Sequence, residues 1–212
     1  VIYVADEAYA DDNESELKAS TKFETNSMAT TNKISYKSSK NNLRFAVYGG
    51  YFNRSDYRLG SSSPFEVNNS FVNNSQNSGA SFKTAIGYNK NNWITNFRYQ
   101  LLSFRNGLPG HTHDSVWDIS DFISSQQNRK EGRPAQFIVN HLAQWENKFY
   151  FKEDEVVAQL GFTSNGLQEY ERIYTPELNM NLQNYSYNFK WKHKLNEQFD
   201  IISGSQGMMQ SS

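Results

Sequence analysis

Segments of this chain alternate apolar and polar side chains with a period of two, and this alternation constrains the fold more than any other feature. Between residues 93 and 104, Trp93, Thr95, Phe97, Tyr99 and Leu101 oppose Asn96, Arg98 and Gln100. Successive side chains of a strand point to opposite faces. The pattern therefore predicts strands that have one apolar face and one polar face.

The same alternation predicts nine strands, at residues 16–25, 31–39, 43–52, 82–89, 93–104, 137–151, 155–166, 180–194 and 199–209. Six basic side chains are expected on the polar faces of these strands: Lys18, Lys22, Lys33, Lys37, Arg44 and Arg98. The favoured interpretation is that they belong to a polar barrel wall that is hydrogen-bonded to a plug and to water. The alternative is a functional role, in which they line the contact with the plug or with a permeating anion.

The connections between the strands differ greatly in length. Residues 40–42, 90–92 and 152–154 form tight polar turns, whereas residues 53–81 and 106–136 form long connections. The first long connection is rich in Asn, Ser and Gly, which predicts an exposed and mobile loop. Short turns at one rim and long loops at the other are typical of an outer-membrane β-barrel.

Composition fits a membrane wall better than an ordinary soluble domain. Hydrophobic residues make up only 37% of the chain, yet aromatic residues reach 15%. No run of about 18 apolar residues encodes a transmembrane helix. A membrane-spanning β-strand needs only about 9 to 11 residues of alternating pattern, so the sequence is compatible with a location in a membrane.

Charge and cysteine content exclude several classes of function. The net charge is −1, from 21 basic and 22 acidic residues, so no global positive field attracts nucleic acid. Cysteine is absent, which excludes disulfides, thiolate metal sites and cysteine nucleophiles. The sequence also lacks a Gly-rich phosphate loop, an HExxH motif and an ordered Ser/His/Asp set, so we expect no enzymatic activity.

Aromatic residues lie beside several of the short turns. Tyr88 and Trp93 flank the turn at residues 90–92, and Trp191 precedes another turn. Aromatic rings at a barrel rim are stable at the level of the lipid headgroups. We therefore predict that Tyr88, Trp93 and Trp191 are membrane-interface residues, with packing of the rings across strands as the alternative.

An open sheet of nine strands would leave two unpaired edges in hydrocarbon, where each unsatisfied backbone group costs several kcal/mol. The alternating pattern also stops abruptly at residues 207–212. These observations predict an all-β fold in which the nine antiparallel strands belong to a larger transmembrane β-barrel. The start of the chain lacks a signal peptide, which indicates either a processed protein or a segment of a longer one.

Four stretches of the sequence resemble TonB-dependent outer-membrane receptors of the Bacteroidetes type. Residues 1–4 (Val-Ile-Tyr-Val), followed by acidic residues, are similar to the junction between plug and barrel. The other stretches are residues 108–114, 140–148 and 181–187. The similarity extends over nearly the whole chain and is most specific between residues 92 and 207.

The resemblance implies a plugged barrel of 22 strands. Residues 1–12 would be the end of the plug and the junction, and residues 13–212 the N-terminal part of the barrel. The receptor would import a scarce nutrient, such as an iron chelate, metal, vitamin or oligosaccharide, across the outer membrane of a Gram-negative bacterium. Expected partners are outer-membrane lipid, the TonB complex acting through a plug that this chain lacks, and a surface lipoprotein.

The most distinctive local chemistry lies in the second long loop. His111 and His113 are spaced for a shared divalent metal ion, with Asp114 beside them, and all three are candidates for contact with an imported ligand. The alternative is a solvated polar loop after a Pro-Gly turn. His141 and His193 are weaker candidates for a ligand, and no other cofactor is expected.

Two other classes of protein share the strand pattern. A soluble β-sandwich that binds carbohydrate also alternates with period two, and Trp117 and Tyr174 would serve as its surface aromatics. A passive porin or a structural envelope barrel would share every strand feature and lack the plug.

Overall fold

The computed structural model describes residues 9–60, 70–110, 122–130, 132–171 and 175–212. Eleven strands form in these residues: β1 (Ser15–Glu24), β2 (Ala29–Lys40), β3 (Leu43–Arg54), β4 (Phe71–Val72), β5 (Asn77–Lys90), β6 (Trp93–Gly107), β7 (Ile123–Ser124), β8 (Ala135–Phe151), β9 (Asp154–Tyr170), β10 (Leu178–Lys194) and β11 (Asp200–Ser211). Within the same ranges, no helix has the length and hydropathy needed to cross a bilayer.

Nine of these strands form one antiparallel sheet in the order β1-β2-β3-β5-β6-β8-β9-β10-β11. The protein is therefore all-β, and each of the nine predicted strands corresponds to one strand of this sheet. Neighbours in the sheet follow one another along the chain, apart from the two short strands β4 and β7. Among the described residues, β1 and β11 are the edges of an open sheet.

Strands β5, β6, β8 and β9 extend further toward the long loops than the side-chain pattern predicts. β5 begins at Asn77 rather than at residue 82, and β9 ends at Tyr170 rather than at residue 166. The added residues are mostly polar, so they carry no alternation. Their backbones still pair in register, as in Asn77 opposite Asn106, because ladder hydrogen bonds do not depend on side-chain polarity.

The three tight turns share one backbone feature. Asn41, Asn91 and Lys152 each adopt a positive φ, of 56°, 52° and 50° respectively. Asparagine tolerates this left-handed conformation better than most residues, which explains the Asn-rich turns in the sequence. Together with residues 195–199 between β10 and β11, these turns define the short-turn rim of the sheet. The opposite edge is the loop-side rim.

The first long connection is not the uniformly exposed loop that its composition predicts. Ser70, Phe71, Ser75 and Gln76 are buried, and β4 pairs with β7 from the second long connection. The expectation of exposure is therefore wrong for these residues. Polar side chains can be buried where backbone groups satisfy them, and composition alone does not reveal such partners.

The sheet lacks the hydrophobic core of a soluble domain. In the part of the chain that the structure describes, the buried hydrophobic residues are only Ala29, Ala46, Phe71, Ala135 and Val157. Both faces of the large sheet are thus left largely uncovered by the chain itself. The side chains on these two faces are therefore the part of the sheet that bears most directly on function.

Candidate membrane-facing surface and loop-side site

One face of the sheet carries most of its large hydrophobic side chains. Strand register puts the following residues on this face, which we call the apolar belt: Phe45, Val47, Phe82, Ile86, Phe97, Leu101, Trp145, Leu160, Phe162, Tyr185, Tyr187 and Phe189. Many of these side chains are exposed; Leu160, for example, retains 52% of its accessible surface. Contiguous exposed apolar surface of this kind marks contact with a membrane or with another protein.

The apolar belt is continuous across the sheet. One row of directly opposed residues crosses six strands: Phe45, Ile86, Phe97, Trp145, Leu160 and Tyr187. Along β6, the apolar side chains of this face run from Trp93 to Leu101, which is about 26 Å of strand at 3.3 Å per residue. A strand tilt of about 40° reduces this to about 20 Å, somewhat less than the apolar band of about 25 Å in an outer-membrane barrel.

Aromatic rings meet at the short-turn end of the belt. The ring centroids of Tyr88 and Trp93 lie 5.5 Å apart, and Phe149 stacks on Trp93 at 6.1 Å. The Trp93 indole N–H also donates to Asn147 Oδ1 at 3.3 Å. The structure thus brings together two of the three predicted interface residues. Sequence reasoning missed Phe149, although it shares parity with Trp145 and stands close before the turn at Lys152.

Trp191 lies in the same row as Trp93, two strands beyond Phe149. Its indole N–H donates to Asp154 Oδ1 at 2.8 Å, and His193 Nδ1 lies 2.8 Å from the same oxygen. Asp154 lies just beyond the belt, at the short-turn rim. The hydrogen bond from His193, followed by that from Trp191, lowers the pKa of Asp154 below its usual value. Polar atoms thus border the rings on the turn side.

The opposite side of the sheet, the polar face, carries most of the charged residues of the strands. The six basic residues predicted for it are all there, and Arg54 and Lys83 join them. Acidic residues on β1 to β6 of this face are Glu16 and Glu24, which pair with Lys18 and Lys22 at 2.6 Å and 2.5 Å. This half of the polar face is therefore strongly basic.

The segment before β1 lies across the polar face. The Tyr9 hydroxyl donates to Asn96 Oδ1 on β6 at 3.4 Å, and Ser39 Oγ on β2 donates to the carbonyl of Ala10 at 2.7 Å. Asp12 lies 3.4 Å from Arg44 on β3. Gly87 makes room for this segment, because a Cβ there would stand 3.1 Å from the Tyr9 hydroxyl oxygen.

At the loop-side rim, a buried carboxylate ties three segments together. Asp56 is only 1% exposed. Its Oδ1 accepts from the backbone N–H groups of Ser75 at 2.8 Å and Gln76 at 3.1 Å, and its Oδ2 accepts from that of Asn128 at 3.3 Å. Arg129 donates to the carbonyl of Met28 at 2.6 Å. We call residues 26–28, 55–58, 70–76 and 122–130 the loop-side cap.

Arginine side chains stack on aromatic rings beside the cap. The Arg105 guanidinium lies 4.9 Å from the centroid of Phe137, and that of Arg133 lies 5.0 Å from the centroid of Tyr170. Burial lowers the pKa of Arg105, and the positive charge of Arg133 lowers it further. Positive charge is thus concentrated at the loop-side rim.

The predicted metal site falls on residues that the structure does not describe. His111, His113 and Asp114 lie outside the described residues, so the site remains a prediction. Elsewhere in the described ranges, no group of three His, Cys, Asp or Glu side chains is arranged to hold a metal ion. His141 lies on the belt face, and its Nδ1 is 2.9 Å from the Tyr99 hydroxyl.

No protein-family model and no curated protein sequence matches this chain. The similarity to TonB-dependent receptors therefore depends on the sequence stretches quoted above. The fold class depends on the strand pairing.

Proposed function

We propose that this chain forms part of the wall of a transmembrane β-barrel in the outer membrane of a Gram-negative bacterium. The observation that carries the proposal is the opposition of the two faces of one sheet. The apolar belt would face lipid, and the charged polar face would line a wet lumen. Lipid would cover the side chains that the chain itself leaves exposed.

The two rims support an orientation for this wall. Connections 40–42, 90–92, 152–154 and 195–199 are short and lie at one rim, whereas the two long connections lie at the other. Outer-membrane barrels have short periplasmic turns and longer extracellular loops. The short-turn rim would then be periplasmic and the loop-side cap extracellular. The connection at residues 25–28 is a short exception at the loop-side rim.

The proposed activity is the active import of a scarce nutrient, energised through TonB. The segment before β1 supports this activity, because Tyr9, Ala10 and Asp12 contact the face that would line the lumen. An internal plug preceding the barrel would enter along that route. An iron chelate, a metal, a vitamin or an oligosaccharide is the expected class of cargo, and a surface lipoprotein is an expected partner.

A soluble sandwich is less consistent with the geometry. Sandwiches pack two sheets face to face at about 10 Å and fill the space between them with side chains. Within the described residues, the second sheet is the two-residue pair of β4 and β7, which is too small to cover the apolar belt.

Cell fractionation tests the location. We expect the full-length protein in the outer-membrane fraction, and we expect it to need detergent for extraction. Its band in electrophoresis should shift on heating, as the folded barrel unfolds. Recovery of a monodisperse protein from aqueous buffer without detergent would contradict the proposal.

Growth on limiting nutrients tests the activity. Strains that lack the gene for this protein or the gene for TonB should show the same defect in uptake of the same nutrient, and a double deletion should add nothing. A defect that persists in the first strain while the TonB-deficient strain takes up the nutrient normally would indicate a passive pore.

A further inference from the structure

Charged side chains are rare on the belt face of the sheet. Among the described strands, register puts four Asp, Glu, Lys or Arg residues on this face: Lys40, Lys90, Arg105 and Asp154. Asp154 already accepts a hydrogen bond from Trp191 and lies 2.8 Å from His193. On β1 to β6, the charge of the described belt face is therefore exclusively positive.

Lys40 and Lys90 lie at the short-turn rim. Lys40 is the last residue of β2, and Lys90 is the last residue of β5. Both side chains are exposed. Within the described part of the chain, neither ammonium group forms an ion pair with a carboxylate. Their charges can therefore act on a group outside the protein.

Apolar and aromatic side chains border both lysines. Lys90 lies directly opposite Trp93, and Lys40 lies opposite Leu43, which in turn lies opposite Tyr88. We call these five residues the lysine-ring patch. A lysine at the edge of an apolar surface lays its stem along that surface and keeps its ammonium group in the polar layer. Rings with a polar edge prefer the same level of a membrane.

The positive charges of the belt face lie at two separate levels. Arg105 is near the loop end of β6, whereas Lys90 is level with Trp93 at the other end. Residues 93 to 105 span about 40 Å of strand at 3.3 Å per residue, or about 30 Å of height at a tilt of about 40°. An apolar band of about 25 Å fits between these levels. Both levels therefore correspond to headgroup layers.

We propose that the lysine-ring patch binds the headgroup phosphate of an anionic glycerophospholipid such as phosphatidylglycerol. The inference rests on the proposed membrane wall, in which the short-turn rim is periplasmic. The two ammonium groups would attract the phosphate, and the acyl chains would lie along Leu43 and the apolar belt. β2 and β5 both border β3, so they are about 10 Å apart, and both lysines act on the same small area of the leaflet. A zwitterionic headgroup would be attracted less, because it carries its own positive charge.

Tryptophan fluorescence in vesicles tests the proposal. The full-length protein is inserted into equal mixtures of phosphatidylglycerol and phosphatidylcholine, in which the acyl chains of one lipid at a time are brominated. Bromine quenches a tryptophan that it contacts, and the difference between the wild-type protein and Trp93→Phe isolates the signal of Trp93. We expect a preference of about fivefold for phosphatidylglycerol, which is what one lysine near an anionic membrane surface contributes.

Removal of the two charges should abolish this preference. In Lys40→Gln/Lys90→Gln, we expect the two lipids to quench Trp93 about equally. The matched control is Lys190→Gln/Lys194→Gln, which removes the same charge toward the same end of the sheet but on the polar face. This control should keep the preference. An equal loss in both double variants would indicate general electrostatic attraction and would overturn the lysine-ring patch.

The same measurement separates failure of this inference from failure of the membrane wall. If neither brominated lipid quenches the protein, the chain is not inserted, and the proposed function fails together with the patch. If both lipids quench Trp93 equally in the wild-type protein, the chain is inserted and only the preference for an anionic lipid is wrong. Salt at about 1 M should weaken a true preference, because it screens exposed charges.

Discussion

The loop-side cap buries polar side chains, whereas the apolar belt leaves hydrophobic side chains exposed. Asp56 in the cap is 1% exposed and Leu160 in the belt is 52% exposed. The carboxylate of Asp56 can be buried because three backbone N–H groups satisfy it. Leu160 is not covered by the rest of the chain, so its apolar surface stays exposed. The polar groups of the cap therefore find their hydrogen-bond partners within the protein, whereas the stability of the belt depends on what surrounds it.

The strongest test of this difference puts a charge on the belt. Tyr187→Arg should destabilise the inserted protein by about 2 to 4 kcal/mol, because a guanidinium near the bilayer midplane is poorly solvated. Urea titration of the protein folded into lipid vesicles measures the change in free energy. Ser186→Arg is the matched control, since Ser186 is the next residue of β10 and points to the polar face. Equal losses in the two variants would contradict a lipid-facing belt.

A second substitution tests the cap. Asp56→Asn keeps the size of the side chain but turns one of its acceptor oxygens into a donor that faces backbone N–H groups. We expect a local loss of about 1 to 3 kcal/mol, seen as faster proteolysis within residues 55–76 and 122–130. Membrane insertion should be unchanged. If insertion fails instead, the cap and the belt are one cooperative unit.

We expect the segment before β1, like the cap, to be held in place by contacts within the protein, because its contacts are polar and are made with other residues of the chain. In Gly87→Val, the new Cβ would stand 2.8 Å from Asn96 Oδ1 and 3.1 Å from the Tyr9 hydroxyl oxygen. We expect a cost of about 1 to 2 kcal/mol, typical of overpacking, and release of Tyr9 from the polar face. A disulfide engineered between positions 10 and 39 would report release as slower cross-linking. Gly166→Val provides a control, since the nearest atom to its Cβ is 3.5 Å away.

The smallest effect concerns a polar pair on the belt face. Tyr99→Phe removes the hydroxyl that lies 2.9 Å from His141 Nδ1, and should cost about 0.5 to 1.5 kcal/mol. Tyr187→Phe is the comparison, because its hydroxyl lies 3.4 Å from Ser205 Oγ at an exposed position. A larger loss in Tyr187→Phe would mean that the free-energy contributions of hydrogen bonds on this face do not follow their donor–acceptor distances.

The sequence predicted the sheet well because alternation is a local signal. Residues such as Trp93 and Phe97 reveal their shared face without any knowledge of their neighbours. The cap was not predictable in this way. The partners of Asp56 come from segments about 20 and 70 residues away, and backbone N–H groups leave no trace in composition.

The long hairpin of β8 and β9 has a mechanical consequence. Each of these strands has 17 residues, which is about 40 Å of height at a tilt of about 40°. In the proposed membrane wall, an apolar band about 25 Å tall would leave about 15 Å of paired strand above the bilayer. The hairpin would form a stiff extension that holds the loops away from the lipid surface. A change in bilayer thickness would then alter the tilt of the hairpin or its depth in the membrane, without changing the arrangement of the loops.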